Sequence, residues 1–159
     1  MAKKPVEIFK SDQEFQIMAK DYQHKLFLDN WFIIFKLVDS PIYQDDLQLW
    51  GCCSYSFENS SAVITVYNGK DSIDAEYQSK NIAELTLLHE LLHLKLEYMT
   101  DAENVGNMSP LAISLTHQGL ETMAKTIIMF KYNVPYDYFA GTAAIPNNLL
   151  TRSNANVKK

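Results

Sequence analysis

Apolar positions recur along this chain with two different periods, and the change from one to the other marks its elements. Phe15, Met18, Ala19 and Tyr22 follow the spacing of one helix face. Ser11-Asp12-Gln13-Glu14 ahead of them is capping-box chemistry, in which a serine hydroxyl accepts from an amide three residues on and a glutamate reaches back. A helix with a packing role is expected over about 12–25. From Trp31 to Val38 every position but Lys36 is apolar, with many aromatic and β-branched side chains, so a strand covered on both faces is expected. Ser40-Pro41 interrupts it.

From Leu47 to Phe57 the period becomes two. Leu47, Leu49, Cys53, Tyr55 and Phe57 fall on one face, and Gln48, Ser54 and Ser56 on the other. Glu58-Asn59-Ser60-Ser61 is turn chemistry and Ala62–Tyr67 a further strand, which predicts an antiparallel hairpin over 47–67. Asn68-Gly69 ends it. The helical period then returns. Leu85, Leu88, Leu92 and Leu96 form a stripe that Leu87, Leu91 and Leu94 widen, with Asn81-Ile82-Ala83-Glu84 as its cap and an end near Met99. A helix this apolar is mostly buried. A polar loop is expected over 101–107. Ser109-Pro110 then opens a helix that runs to about Lys131, with Pro135 just beyond it.

The expected fold is α+β: an N-terminal helix, a small, mainly antiparallel sheet of about three strands, a central helix and a following helix. Residues 1–150 are expected to form one domain, since 159 residues bury one core more readily than two, and 151–159 a disordered polar tail.

The central helix carries chemistry that its apolar character does not require. Leu87-Leu88-His89-Glu90-Leu91-Leu92-His93-Leu94 contains His-Glu-x-x-His. Residues four apart share a helix face, so His89 and His93 present two imidazoles side by side, as two ligands of one tetrahedral Zn²⁺ require. Glu90 projects near the same place, where a carboxylate can take a proton from an activated water. The motif is short, and residue frequencies alone produce it in roughly one chain in a few hundred of this size. The plain alternative is two histidines satisfying local hydrogen bonds beside an ordinary surface charge. Three ionisable groups within a turn and a half of a buried helix weigh against it.

Charge narrows the partners. A net charge of −5 excludes general affinity for nucleic-acid backbones, so no nucleic-acid partner is expected. The lysines near the N-terminus precede no apolar signal region, and no apolar run reaches membrane-spanning length, so no membrane partner is expected either. Cys52 and Cys53 are adjacent, point to opposite faces of a strand, and cannot staple distant segments. A cytoplasmic, reducing setting is the resulting expectation.

In His89-Glu90-Leu91-Leu92-His93, with a strand before it and a helix after it, the chain resembles the zincin metallopeptidases over about residues 62–130. The metzincin extension would place a glycine where Leu96 stands and a histidine where Met99 stands, so that branch does not fit. The gluzincin branch draws its third zinc ligand from the following helix. Glu121 holds that place here, 121 − 93 = 28 residues after the second histidine. Its rivals are His117, one turn earlier on the same face, and then Glu97, Asp101 and Glu103. The plain alternative for Glu121 is a surface pair with Lys125. Val63-Ile64-Thr65-Val66-Tyr67-Asn68 and Leu85 to Leu94 are similar to the small ImmA/IrrE-like phage and mobile-element peptidases. That family carries a glycine where Leu92 stands, and a Glu-Ala-rich segment that matches here only at Glu121. Thermolysin relatives carry an aspartate where Lys125 stands. The SprT-like proteases carry basic DNA-contacting parts that this acidic chain lacks.

The resemblance implies a zinc metallopeptidase. Zn²⁺ would be held by His89, His93 and Glu121, Glu90 would act as general base, and His117 would act as a catalytic group donating to the developing oxyanion or supporting a ligand. Tyr98, Tyr136 and Tyr138 are further oxyanion candidates. The expected partner is a protein or peptide substrate, extended along an exposed sheet edge for which the 62–67 strand is the candidate. The alternative is a binding or regulatory protein on the same fold, with a retained or structural metal and no cleavage.

Overall fold

The computed structural model describes residues 4–44, 47–69, 82–97 and 109–139, the side chains at 44, 47, 97, 110 and 113 excepted. The expected loop over 101–107, the capping Asn81, Tyr98, the ligand rivals Asp101 and Glu103, the side chain of Glu97 and the tail from Thr151 lie outside these residues. The fold is α+β, with helices α1 (Asp12–Lys25), α2 (Ala83–Glu97) and α3 (Pro110–Tyr132) and strands β1 (Phe32–Val38), β2 (Ile42–Gln44), β3 (Leu47–Leu49), β4 (Gly51–Ser56) and β5 (Ser61–Tyr67).

Local rules set the helix ends. The Ser11 hydroxyl accepts from the Glu14 amide, while Glu14 reaches back to the Lys10 amide at 2.8 Å. Ser109 caps α3 by accepting from the Ala112 amide, and Asn133 ends it in the left-handed conformation at φ 51°. No described helix is long and apolar enough to cross a membrane.

The sheet departs from the expected pattern in three ways. It is mixed rather than mainly antiparallel: in the order β1-β5-β4, β5 pairs parallel to β1 and antiparallel to β4. The hairpin expected over 47–67 divides at Trp50. Leu47–Leu49 folds back on Ile42–Gln44 as a separate two-stranded ribbon, and only Gly51–Ser56 pairs with β5. Trp50 fixes this break, since its ring stacks on Tyr67 at 5.5 Å and its carbonyl accepts from the Tyr67 amide. Third, the expectation that β1 is covered on both faces fails. Phe32 is 69% exposed and Ile34 43%, whereas Ile33 and Phe35 are buried.

One face of the sheet makes the core. Ile33 and Phe35 of β1, Ala62, Ile64 and Val66 of β5, and Gly51, Cys53 and Tyr55 of β4 share it, because residues directly opposite in register share a face. α2 lies across it, with contacts to β4 and β5 below and to α1 and α3 above. Being enclosed on both sides, α2 buries Leu87, Leu88, Leu91, Leu92 and Leu94 almost completely. Each such side chain contributes on the order of 2 kcal/mol of apolar burial. Phe9 and Phe15 close the core beside α1 in an edge-on contact at 5.2 Å.

Two buried polar groups tie the segments together. The Asn68 amide side chain, expected only to end a strand, is fully buried and clamps both the N–H and the carbonyl of Phe9. Gly69 follows at φ 67°, a backbone conformation that a glycine reaches without strain. Glu84, expected only to help cap α2, is likewise fully buried. Its carboxylate accepts from Tyr22 of α1 at 2.6 Å, from Lys131 at 2.7 Å and Tyr132 at 2.9 Å on α3, and from the Val6 amide at 2.8 Å.

Glu84→Ala removes the acceptor shared by Tyr22, Tyr132 and the partly exposed Lys131, and is expected to lower stability by about 2–4 kcal/mol in urea unfolding. Burial, reinforced by the Glu84 charge, holds the Tyr22 and Tyr132 hydroxyls well above the ordinary tyrosine value of 10.0. A raised folded-state pKa gives stability that is complete below the unfolded value and lost as pH rises past it. Unfolding midpoints should therefore fall above pH ~10, and the fall should be shallower in Tyr132→Phe.

Candidate metal centre

The imidazoles of His89 and His93 emerge from the side of α2 that faces α3, one helical turn apart, with ring centroids separated by 5.0 Å. α3 crosses above and brings a third ring to them. His117 lies 4.7 Å from His93 and 5.7 Å from His89, centroid to centroid. One nitrogen from each of the three rings lies within 4.8 Å of the others, so three histidines from two helices form one cluster that could hold a metal ion. His93 is 8% exposed, and the cluster sits at the edge of the α2–α3 contact.

Glu121 stands one turn further along α3, outside this cluster of three nitrogens. One carboxylate oxygen is 3.3 Å from Nδ1 of His89 and the other is 3.0 Å from the Lys125 ammonium. The pairing with Lys125 expected from sequence is present, but it is buried rather than on the surface, since Lys125 is only 8% exposed. Burial alone would raise the Glu121 carboxyl. The nearby His89 imidazole and Lys125 ammonium outweigh it and hold the group below the ordinary carboxylate range.

The donor set suits a borderline metal ion. Three imidazoles are common ligands of zinc, and a fourth position left to solvent is the pattern of catalytic rather than structural sites. Tetrahedral bonds of ~2.0–2.1 Å place ligand nitrogens about 3.4 Å apart, so the observed cluster would have to contract somewhat around an ion. The buried His89 Nδ1 and Glu121 Oε1 both lack an aligned hydrogen bond, which also marks the region as incomplete without a further polar partner or a small movement of the ring.

Glu90 is 8% exposed and lies beside Gly51, the first residue of β4. A methyl group at Gly51 would stand 2.8 Å from Glu90 Oε1, 3.0 Å from its Cγ and 2.6 Å from the Thr86 methyl. Gly51 thus provides the gap through which the Glu90 side chain passes between α2 and the sheet. Sequence reading overlooked it, although a glycine opening a strand is a known sign of close approach. β4 is an outer strand, bonded among the described residues to β5 alone, whereas β5 is the central strand. The open edge beside Glu90 is therefore β4, which corrects the assignment of the exposed edge to 62–67.

Of the tyrosines named as oxyanion candidates, Tyr98 lies outside the described residues, Tyr136 is 67% exposed, and Tyr138 packs on the core with its hydroxyl donating to Glu7 at 3.2 Å. Comparisons of the chain with family models, with curated proteins and with solved structures gave no match, so the site is argued from its own geometry.

Gly51→Ala should force Glu90 and Thr86 apart and destabilise the chain by about 1–3 kcal/mol, as overpacking does. Adding Thr86→Ser, which removes the methyl group in the way, should recover part of that loss in thermal unfolding. Equal stability of Gly51→Ala and the native chain would show that the gap is not needed.

Proposed function

We propose that this chain is a zinc-dependent metallopeptidase of the zincin kind, which hydrolyses a peptide bond with Glu90 as general base. The observation that carries this reading is the convergence of His89, His93 and His117 beside a helix turn that also bears the buried Glu90. A buried carboxylate beside such a cluster can serve as the base of water-nucleophile chemistry, whereas a structural cluster has no use for one.

Under this reading His89, His93 and a donor from α3 hold the ion. When bound, Zn²⁺ supplies Lewis-acid polarisation of the scissile carbonyl and makes a water acidic enough to deprotonate near neutral pH. Glu90 accepts the proton of the attacking water and returns it to the leaving amine. In support, Glu90 is buried beside Gly51, which limits the positions its side chain can take. The substrate is a protein or peptide whose backbone pairs in extended form with the open edge of β4. A reducing, cytoplasmic compartment belongs to the same reading, in keeping with neither Cys52 nor Cys53 being in a disulfide among the described residues.

A second reading has one observation in its favour. At 8% exposure Glu90 has little open surface, as in a binding or regulatory protein that keeps the metal site without cleaving. The two readings part on one substitution. The purified chain is expected to carry about one zinc per molecule by elemental analysis. Glu90→Gln should keep that zinc and lose about 10²–10⁴-fold in hydrolysis of a quenched-fluorescent peptide mixture. Zinc retained with no cleavage by the native chain favours the binding protein. A native chain without zinc, whose His89→Ala variant is equally stable, refutes both.

A further inference from the structure

The geometry points to a three-histidine metal site in which Glu121 is not a ligand but the carboxylate that orients His89, itself locked by Lys125. This inference rests on the zinc reading above and departs from the Glu-ligand arrangement that the sequence suggested.

His117, Glu121 and Lys125 follow one another at four-residue spacing and so descend one face of α3. Each meets a different partner. His117 joins the imidazoles of His89 and His93, with all three donor nitrogens within 4.8 Å of one another. Glu121, one turn on, places Oε2 at 3.3 Å from His89 Nδ1. Lys125, a further turn on, places its ammonium 3.0 Å from Glu121 Oε1. Both carboxylate oxygens therefore already face a partner.

Lys125 decides between the two roles of Glu121. With its side chain nearly buried, the Lys125 ammonium requires a nearby carboxylate, and Glu121 is within ion-pair reach. Swinging Glu121 onto the ion would weaken that pairing and remove the acceptor from His89 Nδ1. Keeping it in place fixes the His89 tautomer: the proton sits on Nδ1, towards the carboxylate, and Nε2 is left to bind metal. His89 Nδ1 is buried without an aligned hydrogen bond at present, and a small rotation of the ring towards the carboxylate closes that contact. Lys125 is thus a positioning residue acting through Glu121, and His117 is the third ligand.

Zinc affinity measured by competition with a chromophoric chelator, together with X-ray absorption at the zinc edge, tests this on the full chain. The native site should show three imidazole ligands and no protein carboxylate. Glu121→Gln and Lys125→Met should keep the three-imidazole signature and weaken zinc binding by about 10–100-fold, as loss of an outer partner does. His117→Ala should remove one imidazole from the signature and weaken binding more than either. Thermal unfolding of the metal-free variants separates misfolding from lost affinity, and Lys125→Met carries the test if Glu121→Gln does not fold. Loss of a carboxylate ligand in Glu121→Gln, an unchanged imidazole count in His117→Ala, or native affinity in both Glu121→Gln and Lys125→Met would each overturn the inference. A native chain that binds no zinc overturns this inference and the zinc reading together. Zinc held by three imidazoles in a chain that cleaves nothing leaves the inference standing and removes only the peptidase activity.

Discussion

The Glu84 carboxylate is the point on which the helical layer depends. A buried carboxylate is tolerated only when its oxygens are matched by donors, and here those donors come from α1, from α3 and from the segment ahead of α1. The apolar core resists exposure to water but does not by itself choose a rotation of α3 over α2. The hydrogen bonds from Lys131 and Tyr132 make that choice near the far end of α3, and the helix then carries Lys125, Glu121 and His117 back along α2 towards His89 and His93. The candidate site is thus set by a network outside it.

α2 has two tasks that pull against each other. As the central helix it is buried from both sides, which favours leucine at nearly every position. As the bearer of three ionisable groups it must keep those groups where charge or metal can be accommodated. The conflict is settled by geometry. His89 and His93 occupy the margin of the contact with α3, where polar partners stand, and Glu90 occupies the margin of the contact with β4, where Gly51 leaves room. A larger residue at either margin would close the core more tightly and displace the chemistry.

Much of this was legible in the sequence because it is local. Hydrogen bonds and caps within a few residues determine where α1 and α3 begin and end, so Ser11, Ser109 and Pro135 mark those ends without any knowledge of the fold. The period-two stretch before Phe57 and the leucine stripe of α2 were equally readable, as was the pairing of His89 with His93, since both lie on one helix face. The sequence by itself determined the three helices, strands β1 and β5, the burial of α2 and the presence of two adjacent imidazoles with a carboxylate next in the chain.

The tertiary structure decided what depends on distant segments meeting. Nothing local tells β5 to pair parallel with β1, and this pairing made β4 rather than β5 the open edge. Trp50 could divide the expected hairpin only because Tyr67 arrives to stack on it. Glu84 and Asn68 looked like terminal residues of their elements and became buried clamps once α1, α3 and Phe9 closed over them. His117 and Glu121 share one face of α3, so spacing alone could not say which turn would meet the histidines of α2. Helix crossing decided it, placing His117 among the imidazoles and Glu121 between His89 and Lys125.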